Sequence, residues 1–203
     1  MNILLVNGSP HANGNTAIAL NEIAKTLRNE GMDSELFQLG TRPVRGCIAC
    51  GQCHQRGLGR CVFDDDACNR FVERAAEADG FVFGTPVYYG QPNGALLAVM
   101  QRAFFSGAPV AFKPAAAVAV CRRGGGTAAF ESLNMIFQMC NMPLATSQYW
   151  NLVYGREPGQ AALDVEGLQT MRTLARNLAW MVRSLRGEAH PEREPWQPMH
   201  FIR

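Results

Sequence analysis

The sequence predicts an α/β, doubly wound fold, a parallel sheet covered by helices on both faces. Three observations carry this reading. Short aliphatic runs end abruptly in turn residues, segments of helical length and period separate them, and the alternation recurs five times along 203 residues. Runs such as "NILLV" show no polar alternation, the pattern of strands buried on both faces. With 47% hydrophobic residues the chain has material for one sizeable core, so one domain is expected.

The first strand is Asn2 to Val6, cut off by Asn7-Gly8-Ser9-Pro10. From Thr16 to Asn29, Ile18, Leu20, Ile23, Ala24 and Leu27 recur at helical spacing, with Gly31 as the stop. Ser34 to Leu39 alternates as a shorter strand. Asp66 to Ala78 reads as a helix, and Asp64 to Asp66 suit its dipole and cap. Gly80 to Pro86 is the next strand and Asn93 to Phe105 the next helix. Pro114 to Cys121 is a fourth strand, Thr127 to Cys140 a helix, Leu144 to Tyr149 a fifth strand, and Ala161 to Leu185 one long amphipathic helix. The domain spans residues 1–187, with a cysteine-rich insertion at 44–64. The proline-rich residues 188–203 are expected to form an extended tail lying on their own subunit or a neighbour.

A formal charge of +2, scattered along the chain, offers no basic stripe, so nucleic acid is not an expected partner. No signal peptide and no apolar run of membrane-spanning length is visible, so the expected location is cytoplasmic, without membrane attachment. In a reducing compartment, seven cysteines point to free thiols, metal ligands or redox chemistry before structural disulfides.

Ligands of open parallel sheets bind beyond the carboxyl ends of the strands, so the loops after the first, third and fourth strands are the ones to read. "NGSPHANGNT" (Asn7 to Thr16) leads glycines and small polar residues into a helix start. There, free N–H groups favour an anion, and Ser9, His11, Asn15 and Thr16 can add donors. It has neither the lysine of a nucleoside-triphosphate loop nor the glycine spacing of a pyrophosphate loop, so a monophosphate fits best. In "TPVYYGQPNG" (Thr85 to Gly94) the prolines hold the loop rigid, Gly90 lets a flat ring approach the backbone, and Tyr88 or Tyr89 can contact an aromatic ligand; the other reading is a hydrophobic loop packed against a partner subunit. "CRRGGGTAAF" places Gly124, Gly125 and Gly126 where a ligand could lie against backbone, while Arg122 and Arg123 could hold an anionic ring edge or a cofactor phosphate, or be a solvated arginine pair.

Cys47, Cys50, Cys53 and Cys61 form C-x2-C-x2-C-x7-C. Three cysteines at steps of three bring their sulfurs round one centre, and a fourth from beyond a turn closes a set suited to a 4Fe-4S cluster. Tetrahedral zinc could use the same ligands, and free thiols are the remaining reading. Cys68, Cys121 and Cys140 lie in expected helix or strand and read as small buried hydrophobes. His54 reads as a solvent-facing loop residue, and Trp150 or Tyr154 could add a rim to a ligand site or pack under the last helix.

With these loops in this order, the chain from Met1 to about Arg186 resembles the flavodoxin-like NAD(P)H-dependent FMN reductases. Its cysteine insertion is similar to that of their iron-sulfur flavoprotein branch. The resemblance implies a five-stranded sheet of order 2-1-3-4-5, FMN as cofactor with NAD(P)H as co-substrate, a 4Fe-4S cluster on the four cysteines, and a homodimer or homotetramer. It implies the FMN phosphate at Ser9, His11, Asn15 and Thr16, the isoalloxazine at Pro86 to Gly90, and its pyrimidine edge at Gly124 to Gly126. The expected activity is electron transfer from NAD(P)H through FMN to a quinone, a flavin or another acceptor. The alternatives are an electron carrier serving a ferredoxin-like partner and a non-redox scaffold. Hydride transfer demands no protein acid or base, so binding residues and no catalytic ones are expected.

Overall fold

Six strands form one sheet in the computed structural model, which describes residues 1–195, 197 and 199: β1 (Asn2–Asn7), β2 (Asp33–Gln38), β3 (Gly80–Tyr88), β4 (Gln91–Pro92), β5 (Ala115–Cys121) and β6 (Leu152–Tyr154). The order is β2-β1-β3-β5-β6, all parallel, and β4 folds back antiparallel on β3. Taken in chain order without the short β4 arm, the five parallel strands run 2-1-3-4-5, as the resemblance implies.

Alternate side chains of each strand supply two separate cores. Ile3, Leu5, Val82, Val118 and Val120 face α1 (Asn15–Asn29) and the C-terminal helix. Leu4, Val6, Phe81, Phe83 and Ala117 face the other side. That second side is roofed by α3 (Ala67–Glu77), α4 (Gly94–Phe105) and α5 (Gly126–Met139), α2 being the single turn Gln52–Gln55 in the insertion. Phe71 of α3 lies 6.3, 5.8 and 6.1 Å from the rings of Phe81, Phe83 and Phe104, so one aromatic anchors helix to strands. Asp66 and Asn93 cap α3 and α4 by accepting the N–H groups of Cys68 and Ala95. Lys113 closes the other end of α3, donating to the carbonyl of Ala75 at 2.8 Å.

Two expectations are corrected. Leu144 to Tyr149 is not the fifth strand: it makes one bridge, Leu144 to Ala115, and the ladder resumes only at β6. The reason is local. Ser147 Oγ bonds Asn151 and the carbonyl of Tyr149, while the Asn151 amide donates to the carbonyl of Ala117, so side chains occupy groups a ladder would use. The long helix is also shorter than expected. Gln160–Leu163 is a 3-10 turn, and α6 (Val165–Leu185) begins after Asp164, whose carboxylate accepts N–H groups from both Gly167 and Tyr154.

The tail starts at the amino-terminal edge of the sheet. The His190 ring stacks on Phe112 at 4.6 Å, and the Arg193 guanidinium lies 5.0 Å from the same ring, just before β5. This edge is opposite the loops that follow the strands. Among the described residues no helix is long and apolar enough to cross a membrane.

The insertion is closed by one side chain. Arg102 of α4 is 2% exposed, and its five N–H groups meet four acceptors: the Asp66 carboxylate, the carbonyls of Arg45 and Phe63 at 3.2 Å, and Cys61 Sγ, which accepts two bonds at 3.4 Å. Burial on its own raises the Asp66 carboxyl, but the bonds from Cys68 N–H and Arg102 and the Arg102 charge outweigh it and hold the group below its ordinary value. Removing the carboxylate leaves an uncompensated buried cation. Asp66→Ala should cost about 3–5 kcal/mol in urea unfolding at neutral pH. Because the folded-state value is depressed, this stabilisation is present above the ordinary carboxylate range and fades as pH falls through the folded value. The wild-type advantage over the variant should therefore shrink on acidification; a difference independent of pH would contradict the pairing.

Candidate functional site

The carboxyl ends of β1, β3, β5 and β6 surround a cavity of about 720 Å³, within the usual range for a small-molecule site. Its floor is the loop between β1 and α1. Gly8 begins that loop where no side chain fits, since a Cβ there would stand 2.8 Å from Leu96 Cδ2 and 2.9 Å from the carbonyl oxygen of Gly84. The Gly8 N–H bonds that same carbonyl at 2.8 Å, and Asn93 donates to the Gly8 carbonyl at 2.7 Å. Buried Asn7 then accepts from the N–H of Ser9 and donates to Gln38, whose amide in turn donates to the Ser9 carbonyl. The loop is fixed by strand ends on both sides before any ligand arrives.

Helix α1 opens into this cavity. Its N-cap is Gly14, with no side-chain hydrogen bond to the first turn, so the orphan N–H groups and the positive end of the helix dipole are left for an anion. Ser9, His11, Asn15 and Thr16 all line the cavity. Two are already engaged: Ser9 Oγ accepts the N–H of His11, and Asn15 holds the far wall, donating to the Glu157 carbonyl at 3.0 Å and accepting from Ala161 N–H at 3.1 Å.

Pro86, Val87, Tyr88 and Arg122 also line the cavity, but the remaining residues singled out in the sequence do not. Tyr89 is fully exposed, at a positive φ of 51°. Gly90 packs against Gly125, where a Cβ would lie 2.9 Å from Gly90 Cα, and Gly126 packs on Cys121 and Leu152. Gly125 and Gly126 are therefore small because loops and strands meet there. Gly124 has open space around it.

Sequence reasoning missed the wall beyond β6, formed by Gly155, Arg156 and Pro158, and the end of β5 at Val120 and Cys121. The signal was "YGREPG", a turn cluster like the other three, hidden by placing the fifth strand too early. Gly155 is held close: a Cβ on it would meet Ala161 N at 2.7 Å and Asn15 at 3.1 Å. Trp150 and Tyr154 stand in a separate cleft of about 290 Å³ with Tyr149, Asp164 and Glu166. Arg122 and Arg156 are the charged residues of the lining, and no carboxylate is among them. Burial pushes the Cys121 thiol above its ordinary value, outweighing bonds to the backbone at Arg123 and Gly126, so that wall is neutral at physiological pH.

Cys47, Cys50, Cys53 and Cys61 line a second, largely apolar pocket together with Ile48, Phe63, Arg102 and Phe105. Cys47 and Cys50 are exposed, Cys53 is buried in the α2 turn and Cys61 is half-buried. Cys61 is held most firmly: Asn69 bonds its N–H at 3.0 Å and its carbonyl at 2.9 Å, while Arg102 bonds its sulfur. Among the described residues, no group of three or more histidine, cysteine or acidic side chains is gathered closely enough to hold a single metal ion. A tetrahedral zinc would need its four sulfurs in one such shell, whereas a cubane takes one thiolate at each of four irons, so its ligands stand round a cage. Cys68 is apart, buried against the Val99 carbonyl, and burial pushes its thiol up to about 12. His54 is exposed and packs edge-on against Phe105.

The sequence profile of the NADPH-dependent FMN reductases matches residues 1–157, which includes every strand and the whole cavity but its last lining residue. The chain belongs to that family. It is a flavin-based oxidoreductase or electron carrier, with FMN as its cofactor. An iron-sulfur flavoprotein of Methanocaldococcus jannaschii is 29% identical over 195 residues, covering 92% of this chain and all of that one. Another, from Methanosarcina thermophila, is 25% identical over 88% of this chain and 93% of its own length. Among solved structures, a flavodoxin, WrbA-like protein from Agrobacterium tumefaciens superposes with a TM-score of 0.64 at 16% identity, over 91% of this chain and 99% of that one. That likeness shows the flavodoxin-like fold.

Asn15 ties α1 to the β6 wall through both ends of its amide. Asn15→Ala should loosen the segment from Gly155 to Ala161 and weaken FMN binding about tenfold, the scale of one or two lost buried hydrogen bonds. Flavin fluorescence titration measures this, and an unchanged Kd would show that the wall needs no tether.

Proposed function

We propose that this reductase-family chain takes electrons from NAD(P)H and passes them, by way of FMN, to a quinone, a flavin or another acceptor. The observation that supports it most is the cavity itself, where an uncapped helix start, two arginines and no carboxylate face an apolar and aromatic wall. FMN bound there would supply hydride acceptance at its ring and onward release of electrons singly or in pairs.

The chain's own work is binding and shielding. The first-turn N–H groups of α1 would hold the phosphate, with Arg156 adding charge from the opposite wall. Pro86 and Val87 would bear on the flat ring, and half-exposed Tyr88 stands at the mouth. Arg122, also in the lining, would hold the ring's polar edge or the phosphate. Cys121, its thiol kept protonated by burial, would add no negative charge beside a bound flavin ring.

A second reading is favoured by the four cysteines around one pocket. In it the four thiolates hold a 4Fe-4S cluster and the protein carries electrons for a ferredoxin-like partner, with little NAD(P)H turnover. Self-association as a dimer or tetramer belongs to the same proposal, with exposed Tyr88 and Tyr89 beside the cavity as apolar contact surface.

Full-length protein loaded with FMN should oxidise NADH or NADPH in steady state with an added quinone or flavin; reduction by ferredoxin alone would favour the carrier. Replacing Arg122 and Arg156 together by alanine should weaken FMN binding about 10- to 100-fold, as expected for charge-assisted contacts, and riboflavin binding much less. Equal losses for both flavins would place the phosphate elsewhere.

A further inference from the structure

We infer that Arg102 is a positioning residue for the iron-sulfur site: it fixes Cys61 as a ligand and, through two N–H···S bonds to that sulfur, raises the reduction potential of the cluster. This rests on the reading in which the four cysteines hold a 4Fe-4S cluster.

Cys61 differs from the other three cysteines in how it is held. Cys47 and Cys50 are exposed on the loop, and Cys47 Sγ accepts one bond, from the N–H of Ala49 at 3.4 Å. Cys61 has its N–H and carbonyl on the Asn69 amide, and its sulfur 3.4 Å from both Nε and an Nη of a guanidinium whose remaining donors are all satisfied by protein. The arrangement does not need the metal to form, because it hangs on α3 and α4. With one cysteine preset, the other three need only close upon it.

The guanidinium is buried and Asp66 is its one carboxylate partner, so its donors face Cys61 in a medium where a charge-assisted bond is strong. Hydrogen bonds to cluster sulfurs are among the factors that set potential. A cluster held by these thiolates would become more negative by one unit on taking up one electron. A cation and two donors at a ligand sulfur favour that state over the oxidised one. Asn69 offers the control, since it grips the backbone of Cys61 and leaves its sulfur untouched.

The test uses full-length protein, reconstituted anaerobically with iron and sulfide, in three forms: wild type, Arg102→Lys and Asn69→Ala. Iron and acid-labile sulfide per chain, FMN content, thermal midpoint and cluster potential by dye-mediated titration are measured on each. Lysine keeps the charge opposite Asp66 but cannot span Cys61, Arg45 and Phe63 at once. Arg102→Lys should bind FMN like wild type and show a lower cluster potential, or lose cluster severalfold more than Asn69→Ala does. Asn69→Ala should lower the thermal midpoint without moving the potential of the cluster it retains.

The same potential and cluster content in Arg102→Lys as in wild type would overturn the inference, and so would equal shifts in both variants. If Arg102→Lys does not fold, the pair Arg102→Gln with Asp66→Asn, which removes both buried charges together, is measured in its place. The wild-type chain gives a reading free of variants: arginine labelled with nitrogen-15 in the guanidinium should produce a coupling in the pulsed electron-paramagnetic spectrum of the reduced cluster, and its absence would overturn the inference. Wild-type protein that takes up FMN but no iron and sulfide would instead sink the cluster reading itself.

Discussion

One buried cation organises the part of this protein that distinguishes it from a plain flavodoxin-like domain. The insertion between β2 and α3 has a single helical turn of its own, Gln52–Gln55, and no core. A segment of that kind does not order itself, because its few apolar contacts cannot offset its conformational entropy. Arg102 resolves this by donating to chain at both ends of the insertion: Arg45 before the first cysteine, and the last cysteine, Cys61, with Phe63 and Asp66 beyond it. The cost of burying the charge is met by full use of the guanidinium fork, which is why a lysine would not serve. Asp66 does double duty, since the carboxylate that compensates Arg102 also caps α3.

The cavity at the carboxyl ends of the strands rests on a different device. Its floor has little freedom because Gly8 is wedged between β3 and α4, and the Asn7–Gln38–Ser9 bonds lock the turn onto β2. Beside that floor is a helix start that no side chain caps, whose main-chain N–H groups are free to meet an anion. A site made of main-chain N–H groups on a rigid sheet is preorganised, so binding energy is not spent on ordering loops. The glycines that touch, Gly90 and Gly125, serve the same end by letting the β3 and β5 loops brace each other.

Much of this was legible in the sequence because strands buried on both faces leave unbroken aliphatic runs, and helices between them leave a clean period. The β1 loop was legible for a related reason: its turn residues, its glycines and the helix start are contiguous. What was not legible depends on contacts between distant residues. The fifth strand was misplaced because LATSQY looks suitable until Ser147 and Asn151 turn their side chains onto backbone, and that error hid Gly155, Arg156 and Pro158. Three glycines in a row suggested a ligand, whereas two of them are explained by neighbouring chain. Arg102 sits in the apolar run NGALLAVMQRAFF, where one arginine reads as a solvent-facing residue; its partners lie 36 to 57 positions away, and no local pattern announces them.

The two pockets share no lining residue, and α4 explains why. Its first turn follows Asn93, which donates to the Gly8 carbonyl in the loop after β1, while Arg102 and Phe105 near its other end line the cysteine pocket. At 1.5 Å per residue, Gly94 and Arg102 are about 12 Å apart along the helix axis. One helix thus supports two sites at its two ends without bringing them into contact. The strand-end cavity is built from β1, β3, β5 and β6, and among the described residues none of its hydrogen bonds passes through the insertion. The cysteine loop depends on α3 and α4 in turn, and on nothing in the cavity. The cavity is therefore structurally independent of the four cysteines. What the insertion adds to the domain is a separate site, fastened to the outer layer of helices by Arg102 and Asn69.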